Sequence, residues 1–223
     1  MIIMKSIYII IFLFVISIGD LFAQQKENIP RLENPMSVQY LGAKLEKAHP
    51  RLVLNPTIEK YVKKKIESDP LVKNYYAAIK LNAEKIKGQP LLERIVTGRR
   101  LLSVSREMLY RVNMLGIVYR MEKDSEILHR LNEEVIAVCN FSDWNPSHYL
   151  DVAEMSLAVA LAIDWGWDGL PDETIKMAID ALIEKGIKPS WPEDGKNPGW
   201  AFGTNNWNQV CNGGMIAASI AIA

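Results

Sequence analysis

The chain has 223 residues with 26 basic and 26 acidic side chains, so its formal net charge is zero. A neutral chain lacks the basic field that neutralises phosphates, which argues against bulk binding of nucleic acid. The same balance is compatible with a locally basic cleft for an acidic sugar, because net charge does not fix the local potential. The length is sufficient for one well-buried core.

The first 23 residues have the three-part layout of a secretory signal peptide. Lys5 gives a short positive region, residues 7–18 are almost continuously apolar, and the small residue Ala23 precedes Gln24. We therefore predict cleavage after Ala23 and export to the periplasm or cell surface, with the membrane involved only through this segment. An uncleaved anchor is the alternative, because an apolar run of this length could nearly span a bilayer.

Residues 24–48 are predicted to be an N-terminal extension, since the stretch after the signal peptide is polar and contains two prolines. His49-Pro50 begins a short extended piece, because the residue before a proline is pushed out of the helical region. From there on, residues 49–223 are predicted to form one helical domain.

Capping residues and helical periodicity predict seven helices in that domain. Asn55-Pro56 and Asp69-Pro70 each combine an N-cap with a first-turn proline. In the later segments apolar residues recur every three or four positions, and no segment shows convincing alternation with a period of two. The predicted helices cover about 55–68, 70–88, 98–121, 124–139, 149–165 and 171–186, and a last one runs from within 206–213 to the end.

Short links between successive helices make antiparallel neighbours, so we predict an all-α stack of helical hairpins. The helix over 149–165 and the last helix are rich in alanine. Small side chains on several faces let a helix lie among close neighbours, as an inner layer of helices requires. We therefore predict hairpins that form part of an (α/α) toroid, without a β-sandwich; a superhelical solenoid explains the pattern nearly as well.

The last residues, 213–223, are apolar almost all round and lack a capping residue or a closing charge. A natural C-terminus of this kind would leave apolar surface and open carbonyl groups uncovered. We therefore expect the chain to be an N-terminal fragment, truncated in the middle of the toroid domain.

The common catalytic signatures are absent from the sequence. It has no Walker-type or dinucleotide glycine motif, no Gly-x-Ser-x-Gly and no His-Glu-x-x-His. The histidines lie far apart, and Cys139 and Cys211 lack metal-ligand spacing, so neither a metal nor another cofactor is expected. The two cysteines are predicted to be separate buried thiols, with a disulfide as the alternative.

Residues 141–151 combine aromatic rings with amide, hydroxyl and imidazole groups. Sugar sites use this mixture, because flat rings cover the apolar faces of pyranoses and polar groups meet the hydroxyls. The alternative is an anchored loop between helices, with a tryptophan in the core and a histidine bonded within the loop. The substrate-binding residues predicted here are Trp144, Asn145, His148 and Tyr149.

Residues 205–212 contain five side-chain amides directly before an apolar helix. Amides are disfavoured inside helices, whereas neutral donors can hold a carboxylate and offset its charge. An N-cap is the alternative explanation, but a single Asn would suffice for that. The cluster is therefore interpreted as functional, with Asn205, Trp207, Gln209 and Asn212 as substrate-binding residues.

Three pieces of the sequence resemble the heparinase II/III-type polysaccharide lyases, a family that includes oligoalginate lyases. They are His49-Pro50-Arg51-Leu52, the run 149–155 with Asp164-Trp165, and the run 205–212. The resemblance covers most of the chain after the signal peptide. It implies an N-terminal α/α toroid followed by β-sandwich domains, of which this chain would hold the first part of the toroid.

The resemblance also implies a reaction, β-elimination at a uronic acid of a glycosaminoglycan or alginate. A base removes the proton on C5, the glycosidic bond at C4 breaks, and hydrogen bonds to the carboxylate stabilise the enolate-like intermediate. An Asn or His before a Trp has this role in related toroid lyases, and Asn206 occupies that place as the predicted catalytic residue. The family's proton-transferring Tyr and His lie beyond Ala223, so the fragment itself is expected to be inactive.

Two other functions stay open. A toroid glycoside hydrolase of acidic oligosaccharides would need a pair of carboxylates across the cleft, which Asp143, Asp151 and Glu154 could supply. A non-catalytic glycan-binding protein could use the same helical stack. The predicted partner is an acidic polysaccharide or oligosaccharide.

Overall fold

The computed structural model describes residues 37–191 and 198–223. These residues contain eight α-helices and no β-strand, which confirms the predicted all-α class. Residues 45–223 form one compact unit, and the described residues before it belong to another. The helices are α1 (Val38–Lys44), α2 (Pro56–Ser68), α3 (Pro70–Lys87), α4 (Leu102–Glu122), α5 (Ser125–Cys139), α6 (Tyr149–Gly166), α7 (Asp172–Ala181) and α8 (Asn206–Ile222).

Helix α1 lies within the predicted extension, where no helix was expected. Its first turn is closed by Ser37, whose Oγ accepts a hydrogen bond from the backbone N of Tyr40 at 3.1 Å. The predicted signal peptide, residues 1–23, lies outside the described residues. Within the two described ranges, every helix is too short or too polar to cross a membrane.

Side-chain caps set the starts of three helices as predicted. Asn55, Asp69 and Asp124 each accept backbone N–H groups from the first turn of α2, α3 and α5, respectively. Such a cap satisfies donors that have no partner inside the helix. These three predicted helix starts are confirmed to within a residue.

Two predicted boundaries are wrong. Helix α4 begins at Leu102 rather than near Gly98, because Thr97 and Arg100 pair across a tight turn in which Gly98 has a φ of 63°. The helix predicted over 171–186 is α-helical only to Ala181 and continues as a π-helical stretch, Leu182–Ile187. Turns of π-helix are rare in proteins, and many of those that are known lie at functional sites.

Helix α6 is the centre of the compact unit and is buried along nearly its whole length. Its closest neighbours are α4 and α8. Glycines permit this approach: a Cβ on Gly214 of α8 would lie 2.4 Å from the carbonyl oxygen of Ala153, and one on Gly116 of α4 would lie 2.6 Å from the Trp165 ring. The alanine-rich helices α6 and α8 thus pack together; the toroid itself stays a prediction.

We expect Gly214→Ala to destabilise the protein by roughly 1–3 kcal/mol, because the added methyl meets Ala153 backbone that cannot rotate away. The adjacent Gly213→Ala is the matched control, since a Cβ there meets nothing within 4 Å. That control should be neutral or stabilising by about 0.5–1 kcal/mol, as alanine is the better helix former. Urea denaturation followed by circular dichroism measures both; equal effects would contradict the tight packing of α8 on α6.

Asp164 of α6 anchors the segment that begins at His49. Its fully buried carboxylate is bonded to Nδ1 of His49 at 2.7 Å and to the backbone N of Leu52 at 2.7 Å. The backbone N of Arg51 lies 2.9 and 3.0 Å from its two oxygens, and the Trp165 indole donates to the Leu52 carbonyl at 2.9 Å. Two of the three sequence pieces behind the resemblance therefore contact each other directly.

Arg51 extends this anchor to the end of α8. Its guanidinium donates to the carbonyl oxygens of Ile220 at 3.0 Å and Ala223 at 2.7 Å. Open carbonyls at a helix C-terminus need such donors. The residues 49–52 thus tie α6 and α8 together at one end.

Burial lowers the pKa of His49 below its ordinary value of 6.5, although the hydrogen bond with Asp164 opposes the shift. The folded state then binds fewer protons than the unfolded state, so the free energy of unfolding falls as the pH drops through that value. We expect the melting temperature to fall between about pH 7.5 and about pH 5.5, and His49→Gln to weaken this dependence.

His129→Gln is the control for this titration, because the His129 side chain is 72% exposed. It should leave the pH dependence of the melting temperature unchanged. A His49→Gln protein with the slope of the unmodified protein would contradict the assignment.

Candidate functional site

The loop before α6 places His148 on a buried carboxylate. Asp151 is fully buried and accepts hydrogen bonds from the backbone N of Leu101 at 2.6 Å and from Nδ2 of Asn145 at 2.7 Å. The third partner is Nδ1 of His148, at 2.7 Å. Because two groups of this loop and the backbone at the start of α4 converge on it, the carboxylate is held in one position.

Asn145 organises this loop from a left-handed backbone conformation, with a φ of 63° that Asn tolerates better than most residues. Its Nδ2 also donates to the carbonyl of Arg99 at 2.9 Å, and its Oδ1 accepts from the hydroxyl of Ser147 at 2.8 Å. Both ends of the amide are therefore engaged inside the protein. Asn145, predicted to contact sugar, instead positions Asp151 in this structure.

Trp144 and Tyr149 lie in the core. Trp144 is fully buried, and its indole donates to the carbonyl of Val138 at 3.0 Å. The Tyr149 hydroxyl donates to the carbonyl of Gly186, in the π-helical stretch, and its ring stacks on Trp200 at a centroid distance of 4.8 Å. Burial raises the pKa of Tyr149 to about 12, which keeps the phenol protonated. Neither of the two side chains, both predicted to contact sugar, has a face open to a ligand here.

The amides at the start of α8 divide into two groups. Asn208 and Asn212 donate from Nδ2 to the carbonyl of Ala201, at 2.7 and 3.3 Å. These two bonds hold the short 3-10 turn Gly199–Phe202 against α8. Asn212, one of the predicted substrate-binding residues, is therefore engaged in packing a neighbouring segment.

The other three amides are exposed: Asn205, Asn206 and Gln209. Asn205 is the N-cap of α8, since its Oδ1 accepts from the backbone N of Trp207 at 3.1 Å. The Asn206 side chain makes no hydrogen bond within the described part of the chain. An exposed, unengaged amide beside a capped helix start is available to a ligand.

One contact joins the two loops that the sequence singled out. The rings of His148 and Trp207 meet edge to face, with centroids 4.9 Å apart and planes inclined at 72°. The starts of α6 and α8 therefore lie side by side. We call the partly or fully exposed residues around this contact the amide surface; they are His148, Asn205, Asn206, Trp207 and Gln209.

The three carboxylates that a hydrolase could use are each engaged by other groups. Asp143 is paired with Arg94 at 2.6 Å; burial opposes ionisation, but this hydrogen bond and a backbone N–H lower the pKa of Asp143. Glu154 is paired with Arg106 at 3.0 Å, and Asp151 is buried on its three donors. A retaining or inverting mechanism needs two carboxyl groups facing the substrate, and this arrangement leaves none of the three free.

The described residues hold no group of three or more His, Cys, Asp or Glu side chains that could bind a metal ion. Cys139 and Cys211 are both free and buried, which confirms the prediction of separate thiols. Burial raises the pKa of each thiol to about 12, so neither is a nucleophile at neutral pH.

No family model matches the sequence, and no curated protein matches it significantly. The sequence predicted substrate-binding residues in both loops but not the hydrogen bond between His148 and Asp151. The signal was present, because residues three apart at a helix start face the same side. Nothing in the sequence indicated that the carboxylate of Asp151 would be buried.

Proposed function

We propose that this protein is a lyase of polysaccharides that contain uronic acids, glycosaminoglycan or alginate, acting after export to the periplasm or cell surface. The amide surface is one wall of the substrate cleft, and the helices belong to an α/α toroid. The observation that supports this proposal is the exposed amide of Asn206 next to the contact between His148 and Trp207. The resemblance of the run 205–212 to toroid lyases is the second reason for it.

Each exposed group has a task in this proposal. Asn206 donates from Nδ2 to the uronate carboxylate, where negative charge increases as C5 loses its proton. Gln209 follows three residues later on the same side of α8 and reaches a sugar hydroxyl. Asn205 uses Oδ1 for the helix cap, which leaves its Nδ2 for the ligand. Trp207 is half-buried and offers its remaining surface to a pyranose face.

The hydrolase alternative is weaker because of the carboxylates. Its acid and base would have to come from Asp143, Asp151 or Glu154, and each is already paired or buried. Neutral amide donors on the exposed surface suit carboxylate stabilisation better than water activation.

The test uses the full-length protein. It is incubated separately with heparan sulfate, chondroitin sulfate and alginate, and the ultraviolet absorbance of a C4–C5 double bond is followed. Unsaturated product from one of them supports the proposal. Saturated products would indicate hydrolysis and overturn it, and binding without cleavage would indicate a glycan-binding protein.

A further inference from the structure

We propose that His148 transfers the proton in this elimination, oriented by Asp151; the inference rests on the proposed function. Nδ1 of His148 lies 2.7 Å from a carboxylate oxygen that is fully buried. A carboxylate can only accept, so Nδ1 carries the hydrogen and the lone pair of the neutral ring is on Nε2. The arrangement follows the logic of a histidine base held by a buried aspartate.

The free nitrogen of His148 is on the side where a ligand can reach. The side chain is 13% exposed, and Nε2 makes no hydrogen bond within the described part of the chain. The ring touches Trp207, whose chain neighbour Asn206 is the proposed carboxylate donor. In this proposal, a uronate that binds across the amide surface contacts both that amide and the imidazole.

The other two histidines lack this combination. His49 is enclosed, with its ring stacked on Trp167 at a centroid distance of 3.8 Å and its Nδ1 on Asp164. His129 is 72% exposed and only loosely paired with Glu133, at 3.6 Å. Of the three histidines, only His148 combines a partly exposed ring on the amide surface with a hydrogen bond to a buried carboxylate.

Asp151 is a positioning residue in this account. It touches no substrate, but its three donors fix the carboxylate, and the carboxylate fixes the plane and tautomer of the imidazole. Its negative charge also stabilises the imidazolium that forms when Nε2 accepts a proton. Leu101 and Asn145 are the groups that keep it in place.

The step balances without another reactant. The lone pair of Nε2 takes the proton from C5, and the electrons of the C–H bond move into the carboxylate, where Asn206 donates a hydrogen bond to the enolate-like oxygen. These electrons then form the C4–C5 double bond as the bond from C4 to the glycosidic oxygen breaks. The imidazolium returns the proton to that oxygen, so His148 ends neutral.

This assignment departs from the family resemblance, in which the proton is transferred by a Tyr and a His of motifs that His148 does not match. It makes a distinct prediction for the chain of 223 residues itself. Removal of the C5 proton and its return need only a base and a carboxylate donor, and this chain contains both. It should therefore exchange the C5 proton of a bound uronate with solvent deuterium, even without cleaving the sugar.

The experiment mixes the chain with saturated tetrasaccharides of alginate, chondroitin sulfate and heparan sulfate in D₂O. Calorimetry measures binding, and NMR and mass spectrometry measure deuterium at C5. We expect exchange in the tetrasaccharide that binds, and a loss of at least roughly a hundredfold in His148→Gln, the lower end of the usual contribution of a general base. The control, His129→Gln, should exchange at the rate of the unmodified chain, and binding should persist in both variants.

The outcomes separate this inference from the proposed function. If no tetrasaccharide binds, the proposed function fails and this inference falls with it. Binding without exchange, or undiminished exchange in His148→Gln, would overturn the role of His148 alone. Loss of binding in that variant would make His148 a binding residue instead. In case the variant does not fold, the ¹⁵N shifts of the unmodified His148 ring decide: a hydrogen on Nε2 in the neutral form would contradict the proposal.

Discussion

Replacing Asp164 by Ala should lower the free energy of unfolding by roughly 3–5 kcal/mol, because several buried donors lose their common acceptor. The carboxylate is fully buried and receives the Nδ1 hydrogen of His49 and the backbone N–H groups of Arg51 and Leu52. Each donor left buried without a partner costs about 1–3 kcal/mol. Release of this segment would also remove the Arg51 bonds to the end of α8.

Urea denaturation followed by circular dichroism measures the effect. Asp180→Ala is the control, because Asp180 is an exposed acidic residue on α7 that makes no hydrogen bond among the described residues. It should change stability by less than about 0.5 kcal/mol, as exposed substitutions usually do. A loss below about 1 kcal/mol for Asp164→Ala would show that water replaces the carboxylate without cost and that residues 49–52 are not anchored by it.

Asn206→Ala should lower the lyase turnover of the full-length protein by roughly a hundredfold or more, the typical cost of losing one oxyanion donor. Stability should change little, because the Asn206 side chain is exposed and makes no hydrogen bond in the described part of the chain. Initial rates of double-bond formation, measured beside thermal unfolding, give both quantities.

The neighbouring Asn205→Ala is the matched control with the opposite pattern. Its Oδ1 caps α8, so this variant should lose about 0.5–2 kcal/mol of stability, the usual worth of a cap. If its amide Nδ2 only assists in binding, turnover falls much less than in Asn206→Ala. Reduced stability with unchanged turnover in Asn206→Ala would assign that residue to the helix start and remove it from the proposed chemistry.

Local signals explain what could be predicted from the sequence. Asn55, Asp69 and Asp124 act within one helical turn of their own position, so the cap is visible without knowledge of the rest of the fold. The alanine content of α6 and α8 likewise indicated helices with close neighbours, and Gly214 against Ala153 shows how close they are.

Features that depend on distant partners could not be predicted. The change from α to π geometry at Leu182 has no marker in the sequence, and its carbonyl at Gly186 receives the hydroxyl of Tyr149 from another helix. The burial of Trp144 could not be predicted either. The composition of its loop fits a sugar site as well as it fits a loop anchored in the core, but the ring is fully buried. Side-chain type alone does not separate a buried aromatic ring from an exposed one.

The five amides of residues 205–212 show most clearly what composition alone cannot predict. Composition indicated one functional cluster, but two members bind the carbonyl of Ala201, one caps the helix, and the remaining two are exposed. This division depends on where the segment Gly199–Phe202 lies. Within residues 205–212 the candidate site is therefore narrower than the sequence suggested. The structure adds the contact of Trp207 with His148, which the sequence predicted only as part of a separate loop.

The most direct test of the central claim is whether the amide surface recognises a uronate carboxylate. The side-chain NH₂ signals of Asn206 and the indole signal of Trp207 are followed by NMR while a uronate tetrasaccharide is added, and again with the same sugar after its carboxyl groups have been reduced to alcohols. We predict that both signals shift with the uronate and that the Asn206 shift is lost with the reduced sugar. Equal shifts with both sugars, or shifts confined to residues outside the amide surface, would contradict the account.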